Sequence, residues 1–401
     1  MPLVEKPFRS QYATLFGIFI LFGMSMTIIG ATLPKILADF GWSYTTAGTV
    51  IAAGAIGYFA ATYAAGFLVS LIGPKLTIGL GLVLEIVGLF LFAAIPSPLV
   101  NLILYLGVGL GQGCIELVVN WATFRMDKSG SGRALNLIHG AFAVGAFLGP
   151  FVIGMLINYG LSWTLIYRGI AVMFVVVLAV LAFMPFAGLD RRNEEKKDSP
   201  RGGLTRKPAY WLGFATLLVY VGVELGVSNW VAEYFVTVFK TSPATGSFMV
   251  SLFWVGLLVG RFGVPLLYRG KREDVLLVVL SLTMAASVIV LAFVGYIADG
   301  ASVFVLASVL VTLAGLGCSC IYPVVVSLVG GAFPDAQSEA IGFTAMGGGI
   351  GAFVFPYAMS AIAAAWGIRA GFVAYALFSV VVVLFCIALV KATRKESVHS
   401  T

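Results

Sequence analysis

GLGQGCIELVVN at residues 109–120 and GLGCSCIYPVVV at residues 315–326 share seven of twelve positions at an offset of 206 residues. Without a gap, the same offset lays GAFLGP at 145–150 on GAFVFP at 351–356. Stretches so placed mark an internal duplication in which one half of the chain repeats the other. Both pairs lie inside long apolar runs, and most of the chain is of the same kind. Of its 401 residues 60% are hydrophobic, 10% are charged and 48 are glycine, where an average soluble domain is about 25% charged and about 7% glycine. A mean hydropathy of +1.05 over the full length excludes a soluble globular enzyme and makes lipid the solvent for most of the surface.

A membrane-spanning helix takes about 20 predominantly apolar residues. Apolar runs fall at 13–38, 44–72, 76–96, 99–124, 134–158, 163–186, 209–237, 243–268, 274–297, 301–331, 338–365 and 368–391, which predicts twelve helices. The segment 187–207, AGLDRRNEEKKDSPRGGLTRK, breaks the pattern with seven basic and four acidic residues among its 21. The expected chain is therefore an all-α polytopic membrane protein with an N-terminal six-helix bundle (1–186), a linker (187–207) and a C-terminal six-helix bundle (208–401). The repeats quoted above are helices four and five against helices ten and eleven. Two homologous halves joined by a charged linker are the layout of transporters whose binding site lies near the bilayer midplane.

The charge balance is +7, from 24 Lys+Arg against 17 Asp+Glu. The basic residues sit in short clusters between apolar runs and not along one face, so nucleic acid is not expected as a partner. Cytoplasmic segments hold an excess of Lys and Arg. With the N-terminus cytoplasmic, nineteen of the 24 fall on that side, including Lys6, Arg9, Lys75, Arg125, Lys128, Arg133, Arg269, Lys271, Arg272, Lys391, Arg394 and Lys395. The opposite side holds Lys35, Arg168, Lys240 and Arg369, and Arg261 lies within helix eight, near its cytoplasmic end, where its side chain can snorkel. Both termini are then cytoplasmic, and the expected location is the plasma (inner) membrane. The opening MPLVEKPFRSQ leads into a helix read as retained, not as a cleaved signal. Cys114, Cys318, Cys320 and Cys386 all fall in apolar stretches, without metal-ligand spacing, and read as free core thiols.

Carboxylates at membrane depth are costly and mark function by default. Glu85, Glu116 and Glu224 are the three well inside predicted helices. Gln112, Glu116 and Asn120 are spaced by four, which predicts one polar face on helix four. Their repeat partners Cys318, Tyr322 and Val326 are far less polar, so the duplication is broken by polar groups in the first half. Helix five carries Asn136 and His139, one of two histidines. At 1.5 Å per residue His139 lies about 9 Å and Glu116 about 12 Å from the cytoplasmic ends of their helices, depths at which the two are expected to meet. A carboxylate beside amides and an imidazole suits neutral polyhydroxyl compounds, since the carboxylate accepts and the amides both donate and accept; the competing reading of Glu116 is a neutral helix-helix tether. Helix seven has a second stripe, Tyr220, Glu224 and Ser228, followed by Asn229 and by Trp230, which is read either as a stacking surface for a sugar ring or as an interfacial belt residue. Glu85 has no polar neighbour at spacing three or four and reads as a protonated or inter-helix hydrogen-bonded carboxyl.

GVGLGQG at 107–113 and GGGIG at 347–351 follow no strand, so these glycines read as surfaces for close helix approach and not as a nucleotide site. No GxxxxGK[ST] loop is present, which argues against ATP-driven transport by this chain alone. No cofactor and no metal are expected.

Taken together these residues resemble the major facilitator superfamily. Its loop signature between helices two and three, approximately GxLxDRxGRR, corresponds to GFLVSLIGPKL at 66–76, which keeps Gly66, Gly73 and Lys75 and has Ser70 in the acidic position. A closer resemblance is to the fucose-galactose-glucose:proton symporter branch and its glucose transporter relatives. Its fourth-helix form GxGxGxLExxxN is matched by GLGQGCIELVVN, its fifth-helix RLNLxQ by RALNLIH, its seventh-helix GxExxxxxW by GVELGVSNW and its eighth-helix FWxGxxxGR by FWVGLLVGR. The resemblance implies coupling at Glu116, an amide at Asn120 and substrate contact at His139. Fucose-type members carry an aspartate on helix one where Gly30 precedes Leu33-Pro34 here, which points away from fucose and toward a glucose-like sugar.

The reading that follows is a secondary active importer of a monosaccharide such as glucose, coupled to a proton through Glu116, with Gln112, Asn120, His139, Glu224, Asn229, Trp230 and Tyr322 as substrate-binding candidates. Sodium in place of the proton and an exporter of drugs or lipids are the alternatives. A receptor that binds without flux is a third. The expected partners are a sugar, a coupling ion and the lipid bilayer, with the chain working as a monomer. The charge distribution predicts that protease cleaves the 187–207 segment only from the cytoplasmic side; cleavage by protease added outside intact cells reverses the orientation.

Overall fold

Proline and glycine set several helix ends. Pro74 follows Gly73, whose φ of 83° a side chain rarely adopts, and a proline in the first turn loses only an N–H that has no helical partner there. The computed structural model describes residues 8–126, 133–184, 204–267, 272–297 and 301–399, with Val4 and Phe186. The helices are α1 (Arg9–Phe40), α2 (Tyr44–Ile72), α3 (Pro74–Leu91), α4 (Pro98–Met126), α5 (Arg133–Asn158), α6 (Trp163–Phe183), α7 (Pro208–Val238), α8 (Pro243–Leu267), α9 (Glu273–Ile297), α10 (Ala301–Cys318), α11 (Ile321–Ala332), α12 (Gln337–Trp366) and α13 (Ile368–His399). The expected linker lies outside the described residues apart from a short 3-10 turn, Leu204–Arg206, and Lys207. Lys6, Lys128, Arg269 and Lys271 lie outside them too.

Counting α10 and α11 as one interrupted span, twelve helices are long and apolar enough to cross a membrane, and no strand occurs among the described residues. Contacts divide the chain into one unit of Met1–Asn193 with Pro243–Ser251, and another of Glu194–Ser242 with Leu252–Thr401. In the first unit the Ser247 hydroxyl donates to the Ala31 carbonyl at 2.6 Å and that of Ser251 to the Phe147 carbonyl at 3.0 Å, which places the opening turns of α8 there. In the second, Asp274 at the start of α9 pairs with Arg272 and with Arg394 of α13, and Lys207 pairs with Glu396 at 2.6 Å.

The duplication returns in the packing. A Cβ on Gly109 of α4 would stand 1.9 Å from the Gly54 carbonyl oxygen of α2, and one on its repeat mate Gly315 of α10 would stand 1.9 Å from that of Phe253 in α8. Gly145 of α5 meets Ile20 of α1 at 1.9 Å, and its mate Gly351 of α12 meets Leu218 of α7 at 1.9 Å. In both units bare backbone lies on bare backbone at equivalent places, the close approach expected of the glycine clusters. Pro150 inside α5 and Pro356 inside α12 are mates as well.

One expectation is corrected. The apolar run 301–331 predicts a single helix, but α10 stops at Cys318 and α11 starts at Ile321. Pro323 explains the interruption: it has no N–H to give the Ser319 carbonyl four residues back. In the repeat the same position is Leu117, and α4 runs unbroken through it.

Replacing Gly351 by Val forces α12 off α7, an overpacking that costs about 1–3 kcal/mol and lowers the melting temperature of the detergent-solubilised protein. The control Gly17→Ala, whose new methyl has nothing within 4 Å, melts as the wild type does.

Candidate functional site

In the first unit the glycine contact between α4 and α2 brings polar side chains together in an apolar setting. A Cβ on Gly113 would lie 2.5 Å from the Tyr58 carbonyl oxygen. Three residues further along α4, Glu116 receives a hydrogen bond from the Tyr58 hydroxyl. The Asn120 side chain, one turn on, also hydrogen-bonds this carboxyl. Glu116 and Asn120 are half-buried. The Asn120 Oδ1 is shielded and has no hydrogen-bond partner among the described residues. A shielded acceptor left open is costly unless something donates to it.

Gln112 does not join this pair, which corrects the expected three-residue stripe. It is 6% exposed, and its Nε2 donates to the Ser25 hydroxyl of α1 at 3.1 Å. Ser25 in turn donates to Glu85 Oε2 of α3 at 2.8 Å. A step of four residues turns a helix by about 400°, so a stripe so spaced drifts by about 40° per step. Over the eight residues from Gln112 to Asn120 the drift separates the two ends, and Gln112 turns toward α1 and α3. Glu85, at 0% exposure, is the inter-helix hydrogen-bonded carboxyl that its apolar neighbourhood predicts.

His139 of α5 is half-buried with its ring edge-on to Phe19 of α1, centroids 5.7 Å apart and planes at 78°. The expected meeting with Glu116 is not the arrangement found, because Glu116 takes its partners from α2 and its own helix. Asn136 is exposed. At the end of α4, the Arg125 guanidinium lies 4.2 Å from the centre of the Trp121 ring.

In the second unit the interruption between α10 and α11 organises the polar groups. The Tyr220 hydroxyl of α7 donates to the Cys318 carbonyl at 2.7 Å. Half-buried Glu224 hydrogen-bonds the same tyrosine and interacts electrostatically with Arg261. Arg261 of α8, expected to snorkel from a helix end, instead points its Nε at the Ser319 carbonyl, 3.4 Å away. Its carboxyl partner and the open carbonyl hold it inward. Ser228 leaves the expected Tyr220–Glu224–Ser228 stripe, since its hydroxyl accepts from Trp254 Nε1 at 2.9 Å. Trp230, read as a stacking surface or an interfacial belt residue, is fully buried in this structure, at 0% exposure. Asn229 is half-buried. Tyr322 is half-buried on α11, its ring beside Gly348 of α12.

Tyr58 and Ser25, which bond the two N-terminal carboxyls, were missed from sequence. Each pairs across helices from a distant part of the chain, and spacing within one helix carries no trace of that. Among the described residues no group of three or more His, Cys, Asp or Glu side chains is arranged to hold a metal. All four cysteines are free and buried.

A duplicated set of twelve apolar spans with titratable side chains held at depth defines a polytopic membrane transporter. The chain belongs to the Major Facilitator Superfamily, whose sequence pattern it matches over residues 15–312 and 212–401. It is 25% identical over 272 residues to Bypass of stop codon protein 6 of Saccharomyces cerevisiae, covering 61% of this chain and 54% of that protein. It is 22% identical over 271 residues to the glucose/mannose transporter GlcP of Bacillus subtilis, covering 65% of this chain and 67% of that one. The chain thus spans little more than half of the first relative and two thirds of the second. Among solved structures its fold is similar to that of the nucleoside transporter NupG, with a TM-score of 0.79 at 13% identity, covering 95% of this chain and 98% of the other.

Ser25→Ala removes one donor from the buried Glu85 carboxyl, Gln112 being the other, and takes from Gln112 the hydroxyl it donates to, so the variant loses about 1–3 kcal/mol of stability, read as a lower melting temperature. The triple variant Ser25→Ala/Glu85→Leu/Gln112→Leu, with all three polar partners gone, recovers most of that loss.

Proposed function

We propose that this transporter imports a monosaccharide such as glucose together with a proton, with Glu116 as the coupling group. The observation that carries the reading is the open acceptor at Asn120, next to a half-buried carboxyl already bonded to Tyr58. A sugar hydroxyl both donates and accepts, so it can give its proton to the Asn120 oxygen and bridge to neighbouring groups. Among the described residues the carboxyl has Tyr58 and Asn120 as partners and no cation. Loss and gain of one proton therefore change the local charge by a full unit in a poorly solvated place, which is what makes a coupling group sensitive to the side to which it is exposed.

Likeness to GlcP, a glucose/mannose transporter, supports the sugar. Asn120, His139, Glu224, Asn229 and Tyr322 are the contacts put first, ahead of Trp230, which is buried, and Gln112, which is bonded to Ser25. The proposed cycle is alternating access by a single chain in the plasma membrane, termini in the cytoplasm. Polar side chains at depth argue against an exporter of apolar drugs or lipids, which would gain nothing from them.

The test is uptake of radiolabelled sugars and nucleosides into proteoliposomes under an imposed pH or sodium gradient. Glucose accumulation driven by pH is the expected result; accumulation of a nucleoside alone, or dependence on sodium alone, replaces the reading. Glu116→Gln keeps the shape of the side chain and cannot titrate. It abolishes accumulation against a gradient and leaves exchange of labelled for unlabelled sugar measurable, because exchange needs no net proton release. A variant that still concentrates sugar in response to pH moves the coupling group elsewhere, with Glu224 next.

A further inference from the structure

Pro323 leaves the Ser319 carbonyl without its helical donor, and a bare carbonyl at membrane depth is expensive. Three features of α8 and α7 converge on the gap. Gly260 admits it: a Cβ there would stand 2.3 Å from Ser319 Oγ and 2.5 Å from Ser319 Cβ, so any larger residue pushes α8 off the interruption. Arg261, the next residue, supplies a charged N–H to the Ser319 oxygen at 3.4 Å. Tyr220 supplies its hydroxyl to the neighbouring Cys318 oxygen at 2.7 Å. Tyr220 and Arg261 are also the two groups engaged by Glu224.

A tyrosine has one proton to donate. With that proton on the Cys318 oxygen, the Tyr220 oxygen can only accept from Glu224, and Arg261 acts on the carboxyl through its charge. The carbonyls of the interrupted helix and the Glu224 carboxyl thus engage the same two side chains, Tyr220 and Arg261. In transporters with interrupted helices such freed carbonyls, with a carboxylate, coordinate a cation; here a cation tethered to the chain stands at the gap.

We propose that Arg261 is the positioning residue of the second unit: it caps the carbonyl that Pro323 frees and thereby keeps the tenth span interrupted, with Tyr220 and Glu224 held in register for the transport cycle. The role is that of a bound cation built into the chain, and it leaves no demand for sodium at this place. Only the transport arm of the test rests on the sugar reading.

The experiment compares Arg261→Ala, Arg261→Lys, Pro323→Ala and the double variant Arg261→Ala/Pro323→Ala, reading thermal melting in detergent and glucose exchange in proteoliposomes. Arg261→Ala orphans the Ser319 carbonyl and raises the unfolding equilibrium constant about tenfold or more, the order expected for a lost charged hydrogen bond. Pro323→Ala returns an N–H to that carbonyl, so the double variant regains the melting temperature. Its maximal exchange rate stays at least about tenfold low, with half-saturation unchanged, as expected when a mutation removes an interaction needed in the cycle and not in binding. Arg261→Lys, which keeps a charged donor, retains melting and part of the rate. If Arg261→Ala melts as the wild type, or Pro323→Ala fails to restore the double variant, the carbonyl is not what Arg261 serves. If the double variant regains both melting and rate, Arg261 is a cap alone and the positioning role falls. A wild type that exchanges no glucose refutes the sugar reading, while melting still decides the cap.

Discussion

Inside a bilayer apolar side chains gain nothing by leaving lipid for one another, so helices associate through close packing and the few hydrogen bonds they can share. Everything else in this protein hangs on the backbone-to-backbone contacts that glycine permits. Gly109 on Gly54 and Gly145 on Ile20 set α4 against α2 and α5 against α1, and Gly315 on Phe253 and Gly351 on Leu218 repeat the arrangement. Only because α4 and α2 touch this closely does the Tyr58 hydroxyl reach Glu116.

On this common frame the two units have diverged at one turn. Where α4 carries Glu116 and Leu117 in an unbroken helix, the second unit has Tyr322 and Pro323 and a gap two residues wide. The first unit places a carboxyl on the duplicated turn. The second opens the turn and brings its carboxyl, Glu224, from another helix. A single ancestral packing has thus been turned to two kinds of polar site, one made of side chains and one made largely of backbone.

Much of the fold was open to reading because its signals are local. Span length, the matched GLG and GAF stretches and the glycine clusters each sit within a few turns of helix. Glu116 could be found as well, since a carboxyl breaking an otherwise faithful repeat stands out. What escaped depends on rotation and on pairing between distant segments. Gln112 lies one turn from Glu116, yet the drift of the helix sends it to Ser25 and Glu85. Trp230 follows Asn229 yet is fully buried where Asn229 is half-buried, because neighbours in sequence lie about 100° apart around the axis. The interruption at residues 319–320 did have a written signal in Pro323, which the unbroken apolarity of 301–331 concealed.

The Glu85 network also bears on how the chain enters the membrane. Helices emerge from synthesis in order, N-terminal segments first. When α3 arrives with its carboxyl, α1 is already in place and offers the Ser25 hydroxyl, while Gln112 on α4 has yet to be made. Ser25 is then a docking point present before it is needed, giving the wholly buried Glu85 carboxyl a partner during insertion, and Gln112 closes the network afterwards as α4 packs down.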